Sequence, residues 1–297
     1  MNTLLFVLIL SGAAFAYADD APYESTYKPL PYTNTIFRNA NIYDGDGNEF
    51  QNTDLFIRDG KIIAIGKDLP GSSDFIEIDA SNKWITPGII DIHSHMGVYP
   101  APSVRTSSDG NEATSPVTAD VWAEHSIWVQ DPQFALALKG GVTTFHVLPG
   151  SANLIGGRGV TAKNLQRNTI NSMKYPNAPH SLKMACGENP KRVYGNRNQA
   201  PSTRMGNIAG YRKSWIRAEA YLSRLDEYEA KSDEAKEIGY KPTRDLELDT
   251  LAGVLRGEIL VHNHCYRADE MAMMIDVAKE FNYKITAFHH AVEAYKI

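Results

Sequence analysis

Six of the nine histidines fall in three pairs: His93 with His95, His262 with His264, and His289 with His290. Each pair closes a short apolar run with strand character, in "GIIDIHSH", "EILVHNHC" and "YKITAFHH". Side chains i and i+2 of a strand leave the same face, so His93 and His95 share a direction, as do His262 and His264. Neutral imidazole is the commonest nitrogen ligand for zinc and related ions. A single H-x-H is as compatible with structural histidines as with a site; three such strand ends favour a metal centre. A hydrolytic centre also needs an anionic ligand and an open position for water, whose pKa the ion lowers. "LKMACGEN" offers Glu188, just past a strand, and Lys183, within it; the lysine serves only if carboxylated. His125, His146 and His180 stand alone and carry no assignment.

Competing chemistries have weaker support. "GSANLIGGRG" is glycine-rich but has neither the G-x-G-x-x-G spacing nor a Gly-Lys-Ser/Thr ending, so it reads as a tight active-site loop rather than a phosphate cradle. There is no G-x-S-x-G elbow for a serine hydrolase. The two cysteines, Cys186 and Cys265, form no C-x-x-C pair, which excludes a cysteine zinc knuckle. One disulfide or two unpaired core cysteines both remain open. A net charge of −5 gives no electrostatic case for nucleic acid or an anionic membrane.

The elements that must position these residues follow from the pattern of the chain. "TIFRNANIYDGDG", "TDLFIRDGKIIAIG" and "FIEIDASNKWITPG" read as antiparallel strands, with hairpin turns at Asp46-Gly47 and Asp59-Gly60. After Pro87 the rhythm changes to strand, loop and helix. "DPQFALALKGG" predicts a helix begun by Asp131 and Pro132 and stopped by Gly140-Gly141. "VTTFHVL" and "HSLKMACGEN" are further strands, and "KSWIRAEAYLSRLDEYEA" and "LELDTLAGVLRG" are helical. Met271 and Met274 lie at helical spacing and suit a core better than a ligand set. Strands alternating with helices imply a parallel sheet buried on both faces.

The first eighteen residues hold an apolar run, "LLFVLILSGAAFA", too short for a membrane span and ending in small residues. They read as a signal peptide cleaved after Ala16 or Ala18, hence an exported protein, periplasmic or secreted. The expected division is residues 1–18 signal peptide, 19–34 extended leader, 35–86 part of a small β-sandwich, and 87–297 barrel.

Together the motifs "PGIIDIHSH", "GGVTTFHVLPGSANLIGGRG", "LKMACGENPKRVYG", "PSTRMG", "VHNHCYRADEM" and "HHAVEAYK" resemble the amidohydrolase superfamily, in particular its secreted imidazolonepropionase-like branch. The resemblance covers roughly residues 35–297. It implies an α/β fold, a TIM-type (β/α)8 barrel with a small β-sandwich subdomain, and one or two divalent ions, usually zinc. His93 and His95 match the H-x-H of the first barrel strand, His264 the fifth-strand ligand and His290 the sixth-strand ligand. Glu188 stands where a bridging carboxylate is expected, with Lys183 as the alternative. The family's eighth-strand aspartate has no counterpart up to Ile297, so about six of eight strands are expected here, as in an N-terminal fragment. The implied activity of the intact protein is hydrolysis of a carbon–nitrogen bond in a small-molecule amide or cyclic amide by a metal-activated water. A non-catalytic scaffold, a truncated inactive homologue, a metallopeptidase and a lactonase are the alternatives, and a homo-oligomer is possible.

Overall fold

The first sheet forms around β1 (Thr35–Tyr43), which pairs antiparallel with β2 (Glu49–Arg58) and parallel with β4 (Ile76–Asp79) and β5 (Trp84–Ile85). β3 (Lys61–Gly66) returns along β2 through Asp59 and Gly60. Both turn residues have left-handed backbone, φ 51° and 72°, the conformation that makes Asp-Gly a hairpin signal. Ala40, Ile42, Leu55 and Ala80 form the sheet's own apolar cluster. Arg38 ties three strands together, reaching Asp54 at 2.7 Å and Glu77 at 2.6 Å. This computed structural model describes residues 23–297, so the expected signal peptide lies outside the described residues. Residues 24–34 have no regular secondary structure.

The second sheet carries the histidines. Its six strands run in the order β11 (Ile285–His290), β10 (Leu260–Cys265), β9 (Ser181–Ala185), β8 (Ile155–Lys163), β7 (Val142–Val147), β6 (Ile89–Ser94). β6 and β7 are parallel, as are β9, β10 and β11. β8 corrects two expectations, because it runs antiparallel to both of its neighbours and the sheet is therefore mixed. It also occupies much of the stretch expected to be a loop. The glycines of "IGGRG" hide a strand because they are required by close approach rather than by a turn. At Gly157 (φ 108°) a Cβ would stand 2.3 Å from the Val121 carbonyl, and at Gly159 one would stand 2.6 Å from Ser181 Oγ. The architecture is a partial TIM-type barrel beside a separate N-terminal sheet, as expected.

Among the described residues six α-helices lie between β6 and β11: α1 (Pro132–Lys139), α2 (Glu188–Gly195), α3 (Arg204–Glu229), α4 (Asp233–Ile238), α5 (Leu246–Leu255) and α6 (Ala268–Glu280). α1 starts as its sequence predicts, with the Asp131 carboxylate accepting from Gln133 N–H at 3.0 Å and Pro132 in the first turn. In α3, Tyr211, Ser214, Trp215, Ala218 and Tyr221 are buried, a stripe at spacings of three and four. That stripe joins Leu251 of α5 and Met271 and Met274 of α6 in the main core, packed on β9 and β10. Among the described residues no helix is long and apolar enough to cross a membrane.

Cys186, just past β9, and Cys265, at the end of β10, form a disulfide with Cα atoms 5.2 Å apart. Both are buried, and the Cys186 N–H donates to the His264 carbonyl at 2.8 Å. Two neighbouring strands are thus joined at the end where β10 carries its histidines.

Candidate metal centre

The strand ends bring the paired histidines to one place. His93 and His95 leave β6 on the same face, with their Nε2 atoms 3.3 Å apart. His93 also meets both members of the third pair, with ring centroids 4.4 Å from His289 and 5.1 Å from His290. Adjacent residues on a regular strand point to opposite faces. Here β11 ends in left-handed backbone at His290 (φ 66°) and Ala291 (φ 43°), which turns both imidazoles into the cluster. His264 closes the ring 4.5 Å from His290, and His262 Nδ1 pairs with His289 Nε2 at 2.9 Å.

Lys183 sits among them from β9, opposite His262 in register and 1% exposed. Its amine donates to the Pro149 carbonyl at 2.9 Å. Glu188 instead opens α2 with an exposed side chain. Of the two anionic-ligand candidates, the lysine therefore shares the buried space of the imidazoles.

Burial sets the charge state of the ring. Desolvation, then the Lys183 ammonium and adjoining imidazoles, push His93 down to about 2. Burial first, and neighbouring charge second, take His264 and His289 to about 3 and His262 to about 4. His95 and His290 shift the same way, again chiefly through burial. Burial alone takes Lys183 down to about 7. At neutral pH the imidazoles are therefore neutral and keep a lone pair, the state a metal ligand needs.

Local partners select which nitrogen holds that lone pair. His95 Nδ1 donates to the Leu148 carbonyl at 2.9 Å, leaving Nε2 bare. The Asn189 amide donates to His264 Nε2 at 3.3 Å, so the His264 proton lies on Nδ1, 2.9 Å from Ser151 Oγ. Ser151 and Asn189 were not singled out from the sequence, although both lie in motifs that were, "GSANLIGGRG" and "LKMACGEN".

The donor set suits a zinc-type ion. Two nitrogens at Zn–N distances of about 2.0–2.1 Å on a tetrahedral ion stand about 3.3 Å apart, and His93 and His95 have that spacing. Among the described residues no three His, Cys, Asp or Glu side chains are already arranged to hold an ion.

Of the isolated histidines, His146 lies deeper in the barrel. Its Nε2 is 2.6 Å from Ser181 Oγ, its Nδ1 is 2.9 Å from Thr161 Oγ1, and its ring is 4.9 Å from His262. His125 and His180 belong to a separate aromatic group around Trp122.

No family model matches the chain. Amidohydrolase tasK of Hapsidospora irregularis is 34% identical over 295 residues, covering 89% of this chain and 30% of its own length. A dihydroorotase of Ligilactobacillus salivarius is 44% identical over 63 residues, 20% of this chain and 14% of the relative. Among solved structures, an amidohydrolase from Thermotoga maritima superposes with a TM-score of 0.79 at 36% identity, over 88% of this chain and 66% of the other. The chain thus spans less than a third of the first relative and about two thirds of the solved structure.

Proposed function

The chain belongs to the amidohydrolase superfamily, and from that premise we propose that the whole protein is a metal-dependent hydrolase of carbon–nitrogen bonds in a small-molecule amide or cyclic amide. The observation that carries this reading is the ring of neutral imidazoles at the ends of β6, β10 and β11, buried at His262, His264 and His289, half-buried at His93 and His95 and exposed at His290, with the buried Lys183 opposite His262. His93, His95, His264 and His290 are the ligands in this reading, and zinc is the ion their chemistry favours. A divalent ion held there supplies Lewis-acid polarisation of the substrate carbonyl and a water acidified towards neutral pH.

Lys183 is the anionic ligand in this proposal. An amine buried to 1% exposure and lowered to about 7 is about half unprotonated at neutral pH, and that neutral fraction is a nucleophile. Its nitrogen adds to the carbon of CO2, a proton leaves to solvent, and the product is a carbamate bearing one negative charge. The ring histidines stay neutral and fixed by their outer partners, and Lys183 contributes charge without a carboxylate residue. Glu188, exposed at the start of α2, is better placed at the mouth of the site. The buried Cys186–Cys265 disulfide supports the further proposal that the protein works in an oxidising compartment, as an exported protein does.

The test uses the whole protein. Elemental analysis is expected to find about one or two equivalents of divalent metal in the parent and under about 0.2 in His95→Ala. Amine or ammonia release from a panel of linear and cyclic amides should be lost with the metal. Protein equilibrated with 13C-bicarbonate should show a carbamate carbon that Lys183→Arg lacks. A parent that binds no metal and hydrolyses none of the panel would sink the reading.

A further inference from the structure

We propose that the turn at residues 148–151, between β7 and β8, is the orienting element of the metal centre, and that Ser151 is the positioning residue whose hydroxyl accepts from His264 Nδ1–H and holds that ring in its ligating orientation. The inference rests on the metal-ligand reading of the ring. Three groups of this turn, from residues 148, 149 and 151, each accept a hydrogen bond from a site residue at a different strand. The Leu148 carbonyl accepts from His95 Nδ1 on β6 at 2.9 Å, and the Pro149 carbonyl accepts from Lys183 Nζ on β9 at 2.9 Å. Ser151 Oγ accepts from His264 Nδ1 on β10 at 2.9 Å.

The consequence is chemical. A carbonyl oxygen can only accept, so the His95 proton is held on Nδ1 and Nε2 faces His93. At His264 the Asn189 amide approaches Nε2, and the Nδ1 proton is left for Ser151. Outer hydrogen bonds of this kind fix the tautomer of a ligating histidine and raise its affinity for the ion. Leu148 and Pro149 act through backbone carbonyls that substitution leaves in place. Ser151 acts through its side chain, which makes it the member that mutation can remove.

The turn is itself held from behind. Gly150 N–H donates to the Gly110 carbonyl at 2.8 Å, and a Cβ on Gly150 would stand 2.1 Å from Asn111 Oδ1. Tyr99 donates its hydroxyl to that same oxygen at 2.7 Å, and Asn111 Nδ2 donates to Asn153 Oδ1 at 3.2 Å. Asn153, 1% exposed, donates to the carbonyls of Glu112 and Ser115 at 2.7 and 2.8 Å. The orienting atoms therefore rest on a buried hydrogen-bonded backing rather than on a free loop.

Two readouts test the proposal: 15N-histidine NMR of metal-stripped protein, and zinc titration against a competing chelator. In the parent, His264 is expected as the Nδ1–H tautomer. Ser151→Ala should shift the His264 Nδ1 resonance, as its proton loses an acceptor, and weaken zinc binding roughly 10- to 100-fold, while Ser151→Thr, which keeps the hydroxyl, restores both. Finding His264 in the Nε2–H form in the parent overturns the inference without any variant. So does a folded Ser151→Ala whose His264 Nδ1 resonance is unchanged and whose zinc affinity stays within about twofold. If the parent binds no zinc, the metal reading fails by itself, and the 15N measurement still decides the role of Ser151.

Discussion

β6 and β10 carry the same H-x-H spacing in opposite surroundings. β6 lies at the end of its sheet and pairs only with β7, and Ile89, Ile90 and Ile92 are 51–64% exposed. β10 is paired on both sides, and Val261, Asn263 and Cys265 are fully buried. On β6 the two imidazoles face each other and share one direction. On β10 they part: His262 turns to His289, and His264 turns to Ser151 and Asn189. The motif sets the direction of the side chains, and the neighbouring strands decide what each does.

The largest effect should come from breaking the central strand. Val261→Asp puts a carboxylate at a position with no exposure and is expected to cost more than about 3 kcal/mol, enough to lose most of the folded protein in urea titrations. A loss under about 1 kcal/mol would mean that β10 is not the core strand the comparison requires.

An intermediate effect should appear with pH in metal-stripped protein. Below about 6.5 the unfolded histidines take up protons, while the buried ring resists until far lower values. The unfolded state then binds more protons than the native state, so stability must fall as the pH falls from about 6.5 towards 4. Thermal melts of His262→Gln/His289→Gln should show a flatter acid limb than the parent; an unchanged limb would assign the acid sensitivity to other groups.

The smallest effect is expected at the exposed strand. Ile90, 64% exposed, should tolerate Thr within about 0.5 kcal/mol. A larger loss would show that the β6 surface is covered in the protein as it works, and would narrow the contrast with β10.

Much of this arrangement was legible in the chain. The period-two logic of H-x-H put His93 and His95 on one face, and the Asp131–Pro132 start and Asp59-Gly60 turn mark real element boundaries. Other features lack a local signal. β8 is masked because Gly157 and Gly159 serve close packing and erase the alternation that identifies a strand. The adjacent His289 and His290 reach one ring through positive φ values, which histidine adopts without advertising them. The contrast in burial between Lys183 and Glu188 has no local signal either, since five positions of sequence separate a residue inside β9 from one exposed on α2.

The reversed direction of β8 has a further consequence for how such a protein can change. Because β8 returns beside β7, residues 148–154 join the two strands with no helix between them, and both ends of the connection are hydrogen-bonded into the sheet, Leu148 N–H donating to the Ser94 carbonyl and the Leu154 carbonyl accepting from Ala185 N–H. Loops in barrel proteins are where insertions accumulate and new specificities arise. Here that latitude belongs to the long segment between β6 and α1, while the turn beside the site has almost none. New substrates can be reached by rebuilding the long loop, while the short turn keeps the histidines aimed.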